Sequence, residues 1–208
     1  VAFKLGSKIQ WYRNNEGQFS GAIPLENNLD DPRTVASADF DGVNGPDIVM
    51  ADDPNSGSEL RWYKNQGNSF GAPLTITTDY QGSSDVYAGD MDNDGDADIV
   101  LANFFSQNLV WFRNEGGTFS NGIEIDETDG LPREVVVGNI DNDPENLLDL
   151  VLVIRDKEES EDADEDQVLF YKNLGSGNFN LPVVIANNSH VDNPRGAALA
   201  DFDNDKDL

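Results

Sequence analysis

The chain contains no cysteine and very little positive charge. Its 208 residues include 13 Lys and Arg against 40 Asp and Glu, for a formal net charge of −27. Nucleic acids and anionic membrane surfaces are both bound through basic patches, so this balance argues against either partner. The absence of cysteine excludes a disulfide framework. The charge balance fits cation binding and high solubility.

Long apolar runs and a catalytic histidine pattern are also lacking. No apolar run approaches the roughly 20 residues that a membrane-spanning helix needs, so we expect no direct membrane insertion. The single histidine, His190, lies in no Ser or Cys partner pattern, which argues against a nucleophilic triad. No signal peptide is recognisable, and because the sequence begins at Val1 we expect a processed chain or an excerpt of a longer protein.

An internal repeat of about fifty residues organises the chain. One motif recurs as WYRN at 11–14, WYKN at 62–65, WFRN at 111–114 and FYKN at 170–173. An Asp-x-Asp-type motif precedes or follows each copy at the same period, and a phenylalanine follows each copy a few residues later. One interval is longer because of the acidic insert at 156–167, which we predict to be a solvated hairpin loop. Three motifs with one period indicate a repeat protein.

Four short strands are predicted in each unit. In the unit over 82–130 they are SDVYAGD, ADIVLAN, NLVWFRN and a weaker TFSNGIEID. Along NLVWFRN, Leu109 and Trp111 point to one face of the sheet, whereas Val110 and Phe112 point to the other. A sheet that is apolar on both faces must be covered on both, so we expect neighbouring units to stack with the tryptophans in the core between them. Four-stranded units of this length are typical of β-propeller blades.

The predicted fold is therefore an all-β propeller of four-stranded blades, with four blade units in this chain. The approximate units are 1–30 (completed by 190–208), 31–81, 82–130 and 131–189. Two arrangements stay open: the termini complete one blade of a closed four-bladed ring, or the units are consecutive blades of a larger propeller. We favour the second as an expectation, because the sequence stops before the last ligand position of the fourth acidic loop.

Alternate aspartates directly before an apolar strand predict a metal site. Residues 90–98, DMDNDGDAD, place a carboxylate at every second position. Such a loop can curl around Ca²⁺, which takes six to eight oxygen ligands, and the ion would offset the repulsion among like charges. An EF-hand does not fit, because position 12 is Leu101 instead of Glu and a strand follows instead of a helix. A solvated acidic turn without an ion is the alternative.

The acidic loop followed by Asp-Ile-Val, together with Phe-Gly-Ala-Pro at 70–73, resembles the FG-GAP/VCBS repeat family. The resemblance covers essentially the whole chain. It implies a β-propeller that binds calcium in the loop between the first two strands of a blade, as in integrin α-subunit heads and certain fungal lectins. It also implies an extracellular or cell-surface, secreted protein that serves in cell adhesion or lectin-like recognition.

Carried over residue by residue, the resemblance implies four calcium loops. Their expected ligands are Asp39, Asp41 and Asp47 in the first loop; Asp90, Asp92, Asp94, Asp98 and the backbone carbonyl of Asp96 in the second; Asn139, Asp141, Asp143 and Asp149 in the third; and Asp201, Asp203 and Asp205 in the fourth. The first loop has Val43 where the second has Asp94, and the third has a two-residue insertion. Because fewer fixed carboxylates weaken a calcium site, we expect the second loop to bind best.

Two further groups of residues are candidates for binding or modification. Arg33, Arg133 and Arg195 each follow a proline just before the first strand of a unit. Their guanidinium groups could hold a carboxylate or sulfate ligand by forked hydrogen bonds, or each could pair with a neighbouring acidic loop, which is the interpretation we favour. Asn187 begins the glycosylation sequon Asn-Asn-Ser, which matters only on a eukaryotic secretory route.

We expect no enzyme, because every conspicuous aspartate belongs to a repeated loop and no separate pair of catalytic carboxylates stands out. The expected function is a calcium-binding extracellular propeller that recognises a glycan or protein ligand. One alternative is a structural propeller of a surface or filament protein, with neighbouring subunits as its partners. Another is a non-catalytic domain of a secreted enzyme that degrades polysaccharides.

Overall fold

The computed structural model describes residues 7–29, 31–52, 58–156, 166–203 and 208. The described residues form sixteen β-strands and no helix, which confirms the predicted all-β class. Accordingly, no helix in this part of the chain is long and apolar enough to cross a membrane. The predicted acidic insert falls almost entirely outside the described residues.

The strands form antiparallel sheets in which neighbours in sequence are neighbours in space. Sheet I contains β1 (Lys8–Trp11) and β4 (Ile23–Asn27), with the small hairpin β2 (Asn14–Asn15) and β3 (Gln18–Phe19) between them. Sheet II contains β5 (Pro32–Ala36), β6 (Ile48–Asp52), β7 (Leu60–Tyr63) and β8 (Leu74–Thr77). Sheet III contains β9 (Ser83–Gly89), β10 (Asp98–Asn103), β11 (Asn108–Phe112) and β12 (Ile123–Glu127). Sheet IV contains β13 (Leu131–Gly138), β14 (Asp149–Arg155), β15 (Gln167–Tyr171) and β16 (Val183–Asn187).

The four strands predicted over 82–130 correspond to the four strands of sheet III, but the last one begins later than expected. β12 starts at Ile123, and residues 118–122 instead belong to the connection after β11. In that connection Asn114 and Phe119 form an isolated bridge, and the Ser120 hydroxyl accepts a hydrogen bond from the Arg113 backbone N–H at 3.0 Å. The side chain of Ser120 thus holds a turn where the sequence pattern indicated a strand.

Consecutive sheets bury their apolar faces against each other. All six residues of β10 are buried. Val100 and Ala102 belong to the core shared with sheet IV, whereas Ile99 and Leu101 belong to the core shared with sheet II. Because successive side chains of a strand point to opposite faces, one strand supplies two cores. Sheet III is thereby covered on both sides, which is the packing of a propeller blade.

Two of the three tryptophans predicted to lie in the cores do so, whereas Trp11 is half-buried and packs edge-on against Phe70. Trp62 and Trp111 are each only 3% exposed. The turn of the next sheet covers Trp111, because a Cβ atom added to Gly177 would lie 2.0 Å from its Cζ3 atom. Gly177 also has a φ of +72°, so both the space and the backbone conformation require glycine.

One hydrogen bond recurs between the first strands of consecutive sheets. In each case a polar side chain in the first strand of one sheet accepts a hydrogen bond from a backbone N–H in the first strand of the following sheet. For sheet IV the donor lies in the segment that follows β16. The pairs are Thr34 with Val86 at 3.3 Å, Asp85 with Val135 at 3.1 Å, and Glu134 with Ala197 at 2.7 Å. The last pair places Ala197 beside β13, although residues 195–203 form no strand. The sheets are consistent with a propeller, and its blade number stays a prediction.

The contact between Asp85 and Val135 should make the free energy of unfolding depend on pH. Burial raises the pKa of the Asp85 carboxyl, although hydrogen bonds from Val135, Thr34 and Val86 oppose the rise. The folded protein therefore holds this proton more tightly than the unfolded chain does, and the stability supplied by protonated Asp85 is lost as pH rises above its ordinary pKa of 3.8. We expect the Asp85→Asn variant to lose less stability than the wild type between about pH 4 and about pH 7.

Urea unfolding at the two pH values measures this difference, at constant calcium concentration. Between these two pH values, the difference in free energy of unfolding between the wild type and Asp85→Asn should change by about 1.4 kcal/mol for each unit by which the pKa of Asp85 is raised. Asp79→Asn is the matched control, because Asp79 is exposed. Parallel pH curves for the wild type and Asp85→Asn would contradict the prediction.

Candidate metal centre

The second acidic loop, 90–97, connects β9 to β10 and curls back on its own backbone. Asp90 accepts hydrogen bonds from the Asp94 N–H at 3.1 Å and from the Gly95 N–H at 2.8 Å. Asp94 in turn accepts one from the Asp96 N–H at 3.0 Å. The turn passes through Gly95 with a φ of +97°, a conformation that glycine adopts without steric cost. Side-chain-to-backbone bonds of this kind shape the loop before any ion is considered.

Two loops each bring three carboxylates together. In each group one oxygen per residue lies within 4.8 Å of the others. Two oxygens bound to one calcium ion at about 2.4 Å are at most about 4.8 Å apart, so both groups could hold a metal ion. The first group is Asp39, Asp41 and Asp47, between β5 and β6, and the second is Asp90 and Asp92, between β9 and β10, with Asp98, the first residue of β10.

The aspartate that closes each loop is buried and accepts hydrogen bonds at both oxygens. Asp98 accepts one from the Met91 N–H at 3.0 Å and another from the Asn114 N–H at 2.7 Å. Burial raises its pKa to about 6, and these two bonds partly oppose the rise. Asp47 and Asp149 are equally buried and accept the corresponding hydrogen bonds in their own sheets.

The environment of Asp92 tests whether the second group fits a cation. Its side chain is 5% exposed, and its Oδ1 atom is buried with no hydrogen-bond donor. Burial raises the pKa of Asp92, and the negative charge of Asp94 raises it further. A buried carboxylate oxygen without a partner is costly, and a cation ligated there would remove that cost. The donor set therefore fits a hard, oxygen-binding cation.

A basic side chain that the acidic motifs did not indicate lies against each of the first three acidic loops. Arg113 contacts Asp92 at 2.7 Å and Asp94 at 3.1 Å. The corresponding pairs in sheets II and IV are Lys64 with Asp41 and Lys172 with Asp141. The detectable signal was the third position of the repeated W-Y-R-N motif, which is Arg or Lys in every copy. Because these basic side chains are about 40% exposed, solvent screens each pair, and we expect it to contribute little to stability.

A buried asparagine in the same motif joins two consecutive acidic loops. The Asn114 amide donates to the Ala97 carbonyl in its own loop at 2.9 Å and to the Phe40 carbonyl in the preceding loop at 2.8 Å. Asn173 likewise donates to Leu148 at 3.0 Å and to Met91 at 2.8 Å. Phe40 and Met91 each lie between two aspartates of their loops. One buried amide thus links the backbones of two candidate sites.

Two aspartates of the second loop have other partners. Asp94 lies outside the group of three and pairs with Arg113. The Asp96 side chain lies outside the group as well and accepts a hydrogen bond from the Gly116 N–H at 2.8 Å. The structure thus brings together three of the four side chains that the resemblance implies, and the fourth, Asp94, pairs with Arg113 outside the group.

The third and fourth loops are arranged differently. In the third, Asn139 directs its amide N–H groups to the Asp143 carbonyl at 3.1 Å and to Asn146 at 3.2 Å. Its carboxylates, from Asp141, Asp143 and Asp149, are not among the groups of three found in the described residues. In the fourth, Asp201 and Asp203 are exposed, and Asp205 lies outside the described residues. Metal binding by these loops stays a prediction.

The predicted arginines lie at the opposite end of the first strands from the acidic loops. Arg33 forms an ion pair with Asp31 at 2.9 Å, and the guanidinium carbon of Arg133 lies 4.4 Å from the centre of the Phe104 ring. Arg195 is exposed. Arg33 and Arg133 line one cavity of ≈ 250 Å³.

The predicted glycosylation site lies at the end of β16. Asn187 accepts hydrogen bonds through its Oδ1 atom from the Ser189 backbone N–H at 3.2 Å and from the Ser189 hydroxyl at 2.7 Å. The sequon residues therefore form a local turn, and modification of Asn187 stays a prediction.

These observations define a class of protein: an all-β repeat protein whose stacked four-stranded sheets carry acidic loops between their first two strands. Residues 44–101 and 90–144 both match the FG-GAP-like repeat family. Residues 44–144 therefore contain FG-GAP-like repeats, which confirms the resemblance drawn from the motifs. No curated protein matches it in sequence.

The grouping of carboxylates predicts which loop residues matter for calcium. We expect Asp90→Asn to weaken calcium binding at the second site by about tenfold or more, because it removes one of three converging charges. Asp96→Asn is the matched control in the same loop, since its side chain lies outside the group. Isothermal titration calorimetry measures both, and equal affinities for the two variants would show that the group is not the site.

In the first acidic loop a carboxylate can be added instead of removed. Val43 occupies the position of Asp94, is 52% exposed, and donates its backbone N–H to Asp41 at 3.1 Å. Because that bond does not involve the side chain, we expect Val43→Asp to keep the turn and to strengthen calcium binding at the first site. Val43→Asn, which adds no charge, is the control. The same calorimetric titration applies, and the prediction is wrong if Asp and Asn have the same effect.

Proposed function

We propose that this protein is a calcium-binding β-propeller that works outside the cell as a recognition or adhesion module for a glycan or protein ligand. The observation that carries the proposal is the convergence of three carboxylates in two acidic loops at the same place in consecutive FG-GAP sheets. Ion binding there would stiffen the turn between the first two strands of each sheet.

Calcium is the cation that suits these loops best. Both groups offer only carboxylate oxygens, without histidine or cysteine, which favours hard cations over transition metals. Magnesium demands a near-ideal octahedron and gives up its waters reluctantly, whereas calcium accepts six to eight oxygens in irregular geometry. Backbone carbonyls and water would complete the coordination around the three carboxylates.

The modest calcium affinity that we expect of these loops supports an extracellular location. Each gathers three carboxylates, and in each a basic side chain occupies part of the charge. Extracellular calcium modules work with dissociation constants of about 10⁻⁴–10⁻³ M, which cytosolic calcium would never saturate. The net charge of −27 keeps such a protein soluble.

We also propose that the protein is not an enzyme. The aspartates that converge do so in two equivalent loops, whereas a catalytic centre would be expected to set one repeat apart from the others. Asp85 and Asp98, whose pKa values burial raises, are already engaged in hydrogen bonds that hold a strand and a loop.

A structural or assembly role is the second candidate. The outer strand β16 exposes three consecutive apolar residues, Val183, Val184 and Ile185, each more than half exposed. An exposed apolar outer strand can pack against another subunit or a further domain. In this case calcium would supply rigidity, and no small ligand would be needed.

Thermal unfolding in calcium and in chelator tests the calcium part of the proposal. At a hundredfold excess over the dissociation constant, one site adds about 2.7 kcal/mol. For a chain of this size that corresponds to about 5–10 °C in Tm per site. Magnesium at equal ionic strength is the control, and it should stabilise much less. An unchanged melting curve would refute calcium binding by the folded protein.

A glycan array, run in calcium and in chelator, tests the recognition part. Calcium-dependent binding of any glycan would support the recognition role. A blank array with protein that calcium stabilises would refute glycan recognition and favour the assembly role, which analytical ultracentrifugation would then test.

A further inference from the structure

Three consecutive first strands begin with a bulge at the same place. In β5, β9 and β13 the register against the second strand skips one residue, and the skipped residues are Arg33, Ser84 and Arg133. A β-bulge bends its strand and re-aims the side chain of the extra residue. The three side chains thus occupy equivalent positions at the end of the sheets away from the acidic loops.

These positions border one cavity. Its volume is ≈ 250 Å³, and Arg33 and Arg133 both line it, with Ser83 and Ser84 between them. No carboxylate belongs to this lining, although Asp31 pairs with Arg33 beside it. In a chain with a net charge of −27, a lining with two guanidinium groups is a clear local exception. The small Ser84, at the position where both neighbouring sheets have arginine, makes room between them.

Aromatic rings complete the site. Arg133 lies 4.4 Å from the centre of the Phe104 ring, a cation–π contact that fixes the plane of its guanidinium group. Phe105 packs edge-on against Phe104 with ring centres 4.9 Å apart, and it is 59% exposed. The cavity therefore has positive charge at two sides and an exposed apolar ring at its rim.

The serines add hydrogen-bond acceptors. The Ser83 hydroxyl donates to Asn103 at 3.2 Å, and the Ser84 hydroxyl donates to the Ala102 carbonyl at 3.1 Å. Because both hydroxyl hydrogens are directed to the protein, their oxygens are left to accept hydrogen bonds from a ligand. The site thus combines donors for an anion with acceptors for hydroxyl groups.

We propose that this cavity binds a sugar residue carrying a carboxylate or sulfate group, as part of an acidic polysaccharide. The inference rests on the proposed recognition function and names its ligand class. The arginines would hold the anion by forked hydrogen bonds, the serine oxygens would accept from sugar hydroxyls, and Phe105 would pack against the apolar face of the ring. The cavity is smaller than the roughly 300–1,000 Å³ of pockets for drug-sized ligands, which suits one sugar ring.

Calorimetric titration of the calcium-saturated full chain tests the proposal in about 0.15 M salt, where long-range charge effects are screened. The probes are polygalacturonate for carboxylate, dextran sulfate for sulfate, unmodified dextran as the neutral control and polyglutamate as an acidic peptide. We expect polygalacturonate or dextran sulfate to bind, and dextran and polyglutamate to bind much more weakly.

Three alanine variants assign the binding to the cavity. Arg33→Ala and Arg133→Ala should each weaken binding by about tenfold to a hundredfold, since each removes a charge-assisted hydrogen-bond donor. Arg195→Ala is the matched control, because it removes the same charge at the same repeat position but outside the cavity lining. Arg133→Lys, which keeps the charge and the fold but not the fork, should bind with intermediate affinity.

Several results would overturn the inference. Equal loss in Arg33→Ala, Arg133→Ala and Arg195→Ala would indicate non-specific charge attraction, and unchanged binding in the cavity variants would place the site elsewhere. Polyglutamate binding as tight as polygalacturonate would assign the cavity to acidic proteins. If calcium stabilises the chain and only neutral glycans bind on the array, the acidic-sugar inference fails while the proposed function stands. If calcium has no effect and no glycan binds, the proposed function itself fails.

Discussion

The buried aspartate that closes each acidic loop is the constraint on which the rest of the structure depends. Asp47, Asp98 and Asp149 are each completely buried. Burying a carboxylate is costly unless hydrogen bonds or a cation compensate it, and the raised pKa of Asp98 shows that its two backbone hydrogen bonds do not remove the whole cost. Each of these aspartates binds both its own loop and the end of the third strand, so the loop can adopt only a narrow range of shapes.

The conformation of each acidic loop and the packing of neighbouring sheets consequently depend on each other. The asparagine whose N–H reaches Asp98 also donates its side-chain amide to the acidic loop of the preceding sheet. A shift of one loop would therefore disturb a buried hydrogen bond to its neighbour, which is expensive to leave unmade. A cation among the carboxylates would stabilise more than its own turn, because the amide of Asn114 connects that turn to the acidic loop of the preceding sheet.

The sequence predicts the sheets and the loops well, because both are periodic signals. Alternation of apolar side chains places Leu109 and Trp111 in one core and Val110 and Phe112 in another, and the structure agrees. What sequence reasoning missed are contacts between elements far apart in the chain: the alternation of aspartates does not indicate that Asp94 pairs with Arg113. Likewise, Asn114 meets Phe40 across 74 residues of chain. Such contacts follow from how sheets stack, which periodicity alone does not specify.

The two ends of the first strands differ in what the repeats have in common. At the end next to the acidic loop, sheets II, III and IV share the same contacts. The buried aspartate that closes the loop, the asparagine of the repeated motif and the basic side chain recur with equivalent partners. At the other end the repeats differ, because Ser84 replaces the arginine of both neighbouring sheets and opens a cavity between them. A feature that every repeat needs for folding cannot select one ligand at one place. Specific binding requires a position where the repeat is broken, and the start of β9 is such a position.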